Sequence, residues 1–267
     1  MKKHLQVLAL CIISLFGLLS CGLEEFYYIE FISNVDQTSN VSVQVQLPSD
    51  GSPGYGSSEY FNNFIIFYRI YLSNFPASSL LPGDFSAINS TMSSNYNSLY
   101  RYTDKTSSTV TSENLETIFY NSSFFKLALE GRDINEVLSR TSLGKTLQFN
   151  FSEGTVGGIV PIPSLVLSGD EPINLWRAAD KPGINFTTRP DNFRYFMNYE
   201  DIRNTDFAPP VSNEFNADVA IRTNEPDTTL SYVLFYIAAQ GITSEMPPRP
   251  IFSQPTYLGM FKLPNAN

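Results

Sequence analysis

Histidine and cysteine, which carry most nucleophilic and transition-metal chemistry in proteins, occur in this 267-residue chain only as His4, Cys11 and Cys21. All three fall in the first 21 positions, so the rest must work with carboxylates, hydroxyls, amides and a few basic groups. Ser-His-Asp and Cys-His catalysis are thereby excluded from the body. Disulfides, Cys or His zinc sites, and haem or iron–sulfur ligation by those residues go with them. The remaining acid–base candidates are Glu200-Asp201 with Asp206, behind an aromatic stretch, and Asp170-Glu171 on a turn. A glycan hydrolase needs two such carboxyls facing each other at a set separation, and the same hard oxygens suit calcium. No EF-hand spacing is present, and exposed acidic turns are usually just solvated. The expectation is therefore no catalytic residue, no metal and no cofactor. Trp176 and Arg177, with Lys181 nearby, form the most distinctive group and are the candidate ligand contacts. Such a Trp can stack on a sugar or anchor a protein contact while Arg supplies hydrogen bonds. Apolar Leu175 and Ala178 favour a plainer reading, with Trp176 in the core and Arg177 snorkelling at the strand end.

Cys21 stands apart from these. Lys2 and Lys3 give a basic start, Leu5 to Leu19 is an apolar run, and Leu18-Leu19-Ser20-Cys21 closes it. The run is shorter than the roughly 20 residues of a spanning helix, so it reads as a secretory signal. A cysteine directly after Leu-Leu-Ser resembles the lipobox of bacterial lipoproteins. In that class the thiol takes a diacylglyceryl group, the peptide is cut before the cysteine, and the new amine is usually acylated. The resemblance covers only the first 21 or so residues. It implies a signal peptide over 1–20, lipidation at Cys21, and a lipidated N-terminus and tether over 21–30. Gly22, not aspartate, follows the cysteine, and the sorting rule of Gram-negative lipoproteins then points to the outer rather than the inner membrane.

The formal net charge is −9, and removing Lys2 and Lys3 makes the body more acidic still. Phosphate contacts need clustered Lys and Arg, so no nucleic-acid partner is expected. Adsorption to an anionic bilayer is disfavoured for the same reason, which leaves the lipid as the expected membrane attachment. Aromatic residues are 14% of the chain and charged ones only 16%, a balance that suits a β-rich exported domain.

The elements follow from periodicity. Val41, Val43, Val45 and Leu47 alternate with Ser42, Gln44 and Gln46, which predicts a strand with one wet face. Phe61 to Leu72 is apolar on both faces and should be a central strand covered on both sides. Its expected partner is Tyr232 to Ala239, far along the chain. Further strands are expected at Phe26–Phe31, Phe124–Leu129, Thr146–Phe151, Gly158–Pro163, Asn174–Ala178, Phe193–Tyr199 and Ala217–Arg222. Asp84 can cap a helix bearing Phe85, Ile88, Met92, Tyr96 and Leu99. Ser112 can cap a second one bearing Leu115, Ile118 and Phe119. Many short strands at this spacing predict a mainly β sandwich with a long insertion near 84–120 carrying one or two short helices. The pair Phe-Tyr-Arg-Ile-Tyr and Tyr-Val-Leu-Phe-Tyr resembles the middle strands of immunoglobulin or fibronectin type III sandwiches, as in spirochaete-type envelope lipoproteins. The body is placed at 31–245, and 246–267 reads as a Pro-rich C-terminal tail. Together these features lead to a non-enzymatic, lipid-anchored lipoprotein of the cell envelope, meeting an envelope or host protein. The alternatives are a small-molecule or glycan-binding lipoprotein and a carboxylate-based glycan hydrolase.

Overall fold

A stretch that is apolar on both faces must be covered on both, and Phe61–Ser73 is the axis on which that happens. The computed structural model describes residues 29–39, 41–56, 60–73, 115–121, 124–151, 159–177, 195–197, 218–221, 230–242, 246, 248 and 250–265. The strands are β1 Val35–Ser39, β2 Ser42–Gln46, β3 Phe61–Ser73, β4 Phe125–Lys126, β5 Ala128–Leu129 and β6 Thr146–Asn150. They continue with β7 Ser164–Leu167, β8 Ile173–Trp176, β9 Val219–Ile221, β10 Leu230–Ile242, β11 Pro250–Phe252 and β12 Thr256–Lys262. Helix α1 is Leu115–Asn121, α2 is the single turn Ile134–Val137, and a 3-10 turn spans Arg140–Ser142.

The expected pairing of β3 with β10 holds along the full strands, antiparallel from Ser73 opposite Leu230 to Phe61 opposite Gly241. These two form the middle of one sheet. Strands β11 and β12 share the free edge of β10, while β4 and the parallel β9 share that of β3. The second sheet runs β1-β2-β6-β7-β8-β5, antiparallel throughout. The protein is thus a mainly β, two-sheet sandwich.

Strand parity decides what lies between the sheets. Phe64, Ile66, Tyr68 and Ile70 of β3 face Val43 and Val45 of β2, and Leu147 and Phe149 of β6, in one core. Val233, Phe235, Ile237 and Ala239 of β10 join it from the same side. The Phe235 ring sits among Phe149, Phe151, Phe196 and Phe261, all with centroids within 5.9 Å. Ile65 and Phe67 point to the opposite face, where α1 covers them. There Phe67 and Phe119 stack at 4.1 Å and 4°. This is the second cover that the two-faced pattern called for. The first expected helix, from Asp84, and the Ser112 cap lie outside the described residues.

Several features depart from the expectations, among them residues 29–31 and 196–197, which were read as parts of strands and are not strand. Phe124–Leu129 is not one strand: Phe125 and Lys126 pair with β3, whereas Ala128 and Leu129 pair with β8, so the chain changes sheet at Leu127. Such a corner ties the two layers together at one side. Residues 161–163 are not strand, and the strand there is Ser164–Leu167, which is paired with β6 and β8. The segment read as a Pro-rich tail supplies β11 and β12, with Leu258, Met260, Phe261 and Leu263 all buried.

The chain's way into the body is fastened at one end of the sandwich. Ile29 and Ile32 are buried in the main core. The Glu30 N–H donates to the Pro53 carbonyl at 3.1 Å, and its own carbonyl accepts from the Tyr55 hydroxyl at 2.6 Å. The Thr256 hydroxyl holds the Ile32 carbonyl at 2.7 Å. Gly241, at the end of β10, lies against this segment, and any Cβ there would overlap the Tyr60 carbonyl and crowd Ile29.

Candidate functional site

On β8, Leu175 points into the core, so alternation turns Asn174 and Trp176 outward and sends Arg177 inward again. This reverses the expected arrangement of a core Trp with an Arg reaching water. Trp176 is half-buried, bridges Tyr195 and meets its ring edge-on at 6.4 Å. The Tyr195 hydroxyl donates to one oxygen of Glu130 at 2.8 Å, and the Asn174 amide donates to the other at 2.6 Å. Trp176 therefore stands beside an ordered polar cluster of Asn174, Glu130 and Tyr195. Lys181, read as its neighbour, lies outside the described residues.

Arg177 is 1% exposed and forms a two-point pair with Asp218, itself 3% exposed. Its Nε donates to Asp218 Oδ2 at 2.7 Å, and its Nη2 pairs with Oδ1. The Tyr68 hydroxyl also donates to Asp218 Oδ2, at 2.8 Å, and the Ile70 N–H donates to the Asp218 carbonyl at 2.9 Å. Burial works against the guanidinium charge, but the facing carboxylate and Tyr68 outweigh it, so the Arg177 pKa is raised above its already high ordinary value. The group is permanently charged and closed to solvent. Its place is structural, locking β3, β8 and the start of β9 together, and it is not open to a ligand. No sequence signal marked Asp218 as its partner. The inward parity of Arg177 was readable once Leu175 was assigned to the core.

Among the described residues, one surface concavity lies elsewhere, at the end of the sandwich that receives the N-terminal segment. Asp133 caps α2 by accepting from the Asn135 N–H at 2.9 Å, and Ser139 opens the 3-10 turn. This lip faces the β7–β8 turn across a groove of about 470 Å³. Val137, Leu167 and Ile173 give it an apolar floor, while Arg132, Glu136 and the Lys145–Asp170 ion pair, 2.9 Å apart, make its rim. Gly169, with φ +90°, permits the turn that brings Asp170 back to Lys145. Of the acidic candidates, Asp170 is thus engaged by a cation. Glu200, Asp201 and Asp206 lie outside the described residues, as does Cys21. Among the described residues no group of three or more His, Cys, Asp or Glu side chains is placed to hold a metal ion. No described helix is long and apolar enough to cross a membrane.

The chain matches no family model, no curated protein and no solved structure. Function therefore rests on its own residues.

Proposed function

We propose that the chain is a lipid-anchored cell-envelope lipoprotein that acts by contact with a protein or surface, not by catalysis. The observation that carries this reading is Leu18-Leu19-Ser20-Cys21 at the close of a Lys-flanked apolar run. It is supported by the sharp restriction of His and Cys to the first 21 residues and by the acidity of the rest. Acyl chains on Cys21 would hold the body stably at the bilayer, since two or more chains suffice where one is marginal. Gly22 favours the outer membrane as the address. The test is intact mass of the membrane-extracted protein, with Cys21→Ser as the comparison. A chain beginning at Cys21 and carrying acyl mass, lost to the soluble fraction in the variant, is the expected result. An unmodified Cys21 would end the proposal. Protease treatment of intact against disrupted cells then separates a surface-exposed body from a periplasmic one.

A second reading, capture of a small molecule or glycan, is favoured by the groove between α2 and the β7–β8 turn. Its mixed rim and apolar floor suit a ligand with an apolar body and polar ends. Ligand-induced thermal shifts that vanish in Lys145→Ala would support it, and shifts of equal size in that variant would exclude the groove.

A further inference from the structure

The alternation that buries Val43, Leu147 and Leu175 also decides what the six-stranded sheet turns outward. Ser42 lies opposite Asn150, Asn150 opposite Ser164, and Ser164 opposite Asn174, so these form one row across β2, β6, β7 and β8. At about 4.8 Å between strands the row is roughly 14 Å long. Gln44, Gln148 and Val166 make the row on one side of it. On the other side, two residues along β8 from Asn174, stands the half-buried Trp176, bridged to Tyr195.

From β2 to β8 this face carries no charged side chain, in a chain whose net charge is −9. Charges begin at its borders, with Asp36 opposite Gln44 on β1 and Glu130 beyond Asn174. The amides between are tied to one another. Gln148 Nε2 donates to Asn150 Oδ1 at 2.8 Å, Thr146 Oγ1 donates to Gln46 Oε1 at 2.9 Å, and Asn174 Nδ2 donates to Glu130 at 2.6 Å. Such bonds hold each amide in one orientation, so the face presents donors and acceptors in a fixed pattern.

Few partners suit that pattern. Protein interfaces centre on aromatic, Met and Arg side chains around an apolar core, and here β2 to β8 turn out only Val166 and Trp176 as apolar groups. A bilayer needs an apolar or basic face, and nucleic acid a basic one. A neutral sugar chain needs uncharged donors and acceptors for its hydroxyls and an aromatic ring for its apolar side, and both are present.

We infer that the outward face of the six-stranded sheet binds a neutral oligosaccharide, laid across the strands along the Ser42–Asn174 row and ending against Trp176. This names the chemistry of the partner in the surface-contact reading above and rests on that reading, but not on the lipid at Cys21. It uses a different surface from the groove at the β7–β8 turn.

Trp176 is the chain's single Trp, so its emission reports on the site directly. The full chain is titrated with maltohexaose, cellohexaose and chitohexaose, with hyaluronan as the acidic control. At least one neutral chain should change Trp176 emission saturably and shield it from acrylamide, while hyaluronan does neither. Ser164→Asp sets an unpaired charge in the middle of the row and should weaken binding roughly tenfold or more. Gln148→Ala, which adds no charge and leaves the core side of β6 intact, should weaken it as well, and Lys145→Ala in the groove should not. No saturable response to any of the three neutral chains overturns the inference. So does binding that survives both face substitutions, binding that Lys145→Ala removes, or equal binding of hyaluronan. Each of these failures leaves the lipoprotein reading standing, since acyl mass on Cys21 decides that separately.

Discussion

Arg177 and Asp218 meet as a two-point ion pair inside the sandwich, 41 residues apart in sequence, with the Tyr68 hydroxyl on the same carboxylate. Neither partner reaches solvent. Removing one charge strands the other in a low-dielectric core, which costs about 3–5 kcal/mol, whereas replacing both by apolar groups of similar size is often near neutral. Asp218→Asn is therefore expected to lower the urea midpoint sharply. Arg177→Met with Asp218→Leu should recover most of the loss. Equal destabilisation by the single and the double change would refute this. The half-exposed Lys145–Asp170 pair offers the contrast: Asp170→Asn should cost less than about 1 kcal/mol.

Gly241→Ala tests the tight join between the N-terminal segment and β10. The added carbon overlaps backbone, not a flexible side chain, so strain of about 1–3 kcal/mol is expected. Gly169→Ala meets no atom within 4 Å and pays only for its left-handed backbone, about 1 kcal/mol. Chemical denaturation of the two variants should rank them in that order.

Alkaline pH should unfold the protein through its buried tyrosines. Burial first, then the neighbouring Tyr257 and Tyr71, raises the Tyr236 pKa well above its ordinary value, and burial and Tyr71 do the same for Tyr257. The fold thus favours the neutral phenols. Their contribution is intact below the unfolded-chain pKa of about 10 and is lost progressively as pH rises beyond it. Unfolding free energy measured from pH 8 to 12 should fall above about pH 10. Phenolate absorbance from these residues should appear only together with loss of structure. Tyr236→Phe should flatten the decline, and an unchanged slope would count against the assignment.

Phe261→Ala asks whether the C-terminal strand is integral or merely laid on. The ring stacks on Phe151 at 5.0 Å and 12° and lies 5.9 Å from Phe235, so its loss leaves a cavity in the main core. A loss of about 3–5 kcal/mol is expected in thermal or chemical unfolding. A cost near zero would return the segment to the status of a tail.

The parts of this fold that could be read from sequence are those with an unbroken two-residue period. Val43 and Val45, and the doubly apolar β3 and β10, announced their faces because a strand's side chains must alternate. Leu115 and Phe119, one helical turn apart, did the same for α1. β12 escaped because a register shift opposite Phe235 and Tyr236 and the positive φ of Gly259 break its alternation. β4 and β5 are two residues each, too short to show any period, and only the sheet change at Leu127 defines them. Among candidate contacts, Trp176 and Arg177 were read together from their adjacency, but they lie on opposite faces, Trp176 beside Tyr195 and Arg177 against Asp218. Their burial was reversed because side-chain polarity was weighed ahead of strand parity. Asp218 was invisible as a partner, since long-range proximity leaves no local trace. The groove rim, which joins Arg132, Lys145 and Asp170 from separate turns, was hidden for the same reason.

The pairing of β3 with β10 also sets a schedule. A chain threaded through a membrane N-terminus first delivers β3 early and β10 late, with most of the body still to come between them. Until then β3 offers two apolar faces and two unpaired edges, the state most prone to aggregate. Closing so long a loop is intrinsically slow, because its entropy must be lost before the pairing is gained. The sandwich can therefore complete itself only after nearly the whole chain has emerged, and any stall before β10 leaves a sticky half-domain. Under the proposed lipoprotein function, escort during passage across the membrane would be as much a part of its physics as the finished fold.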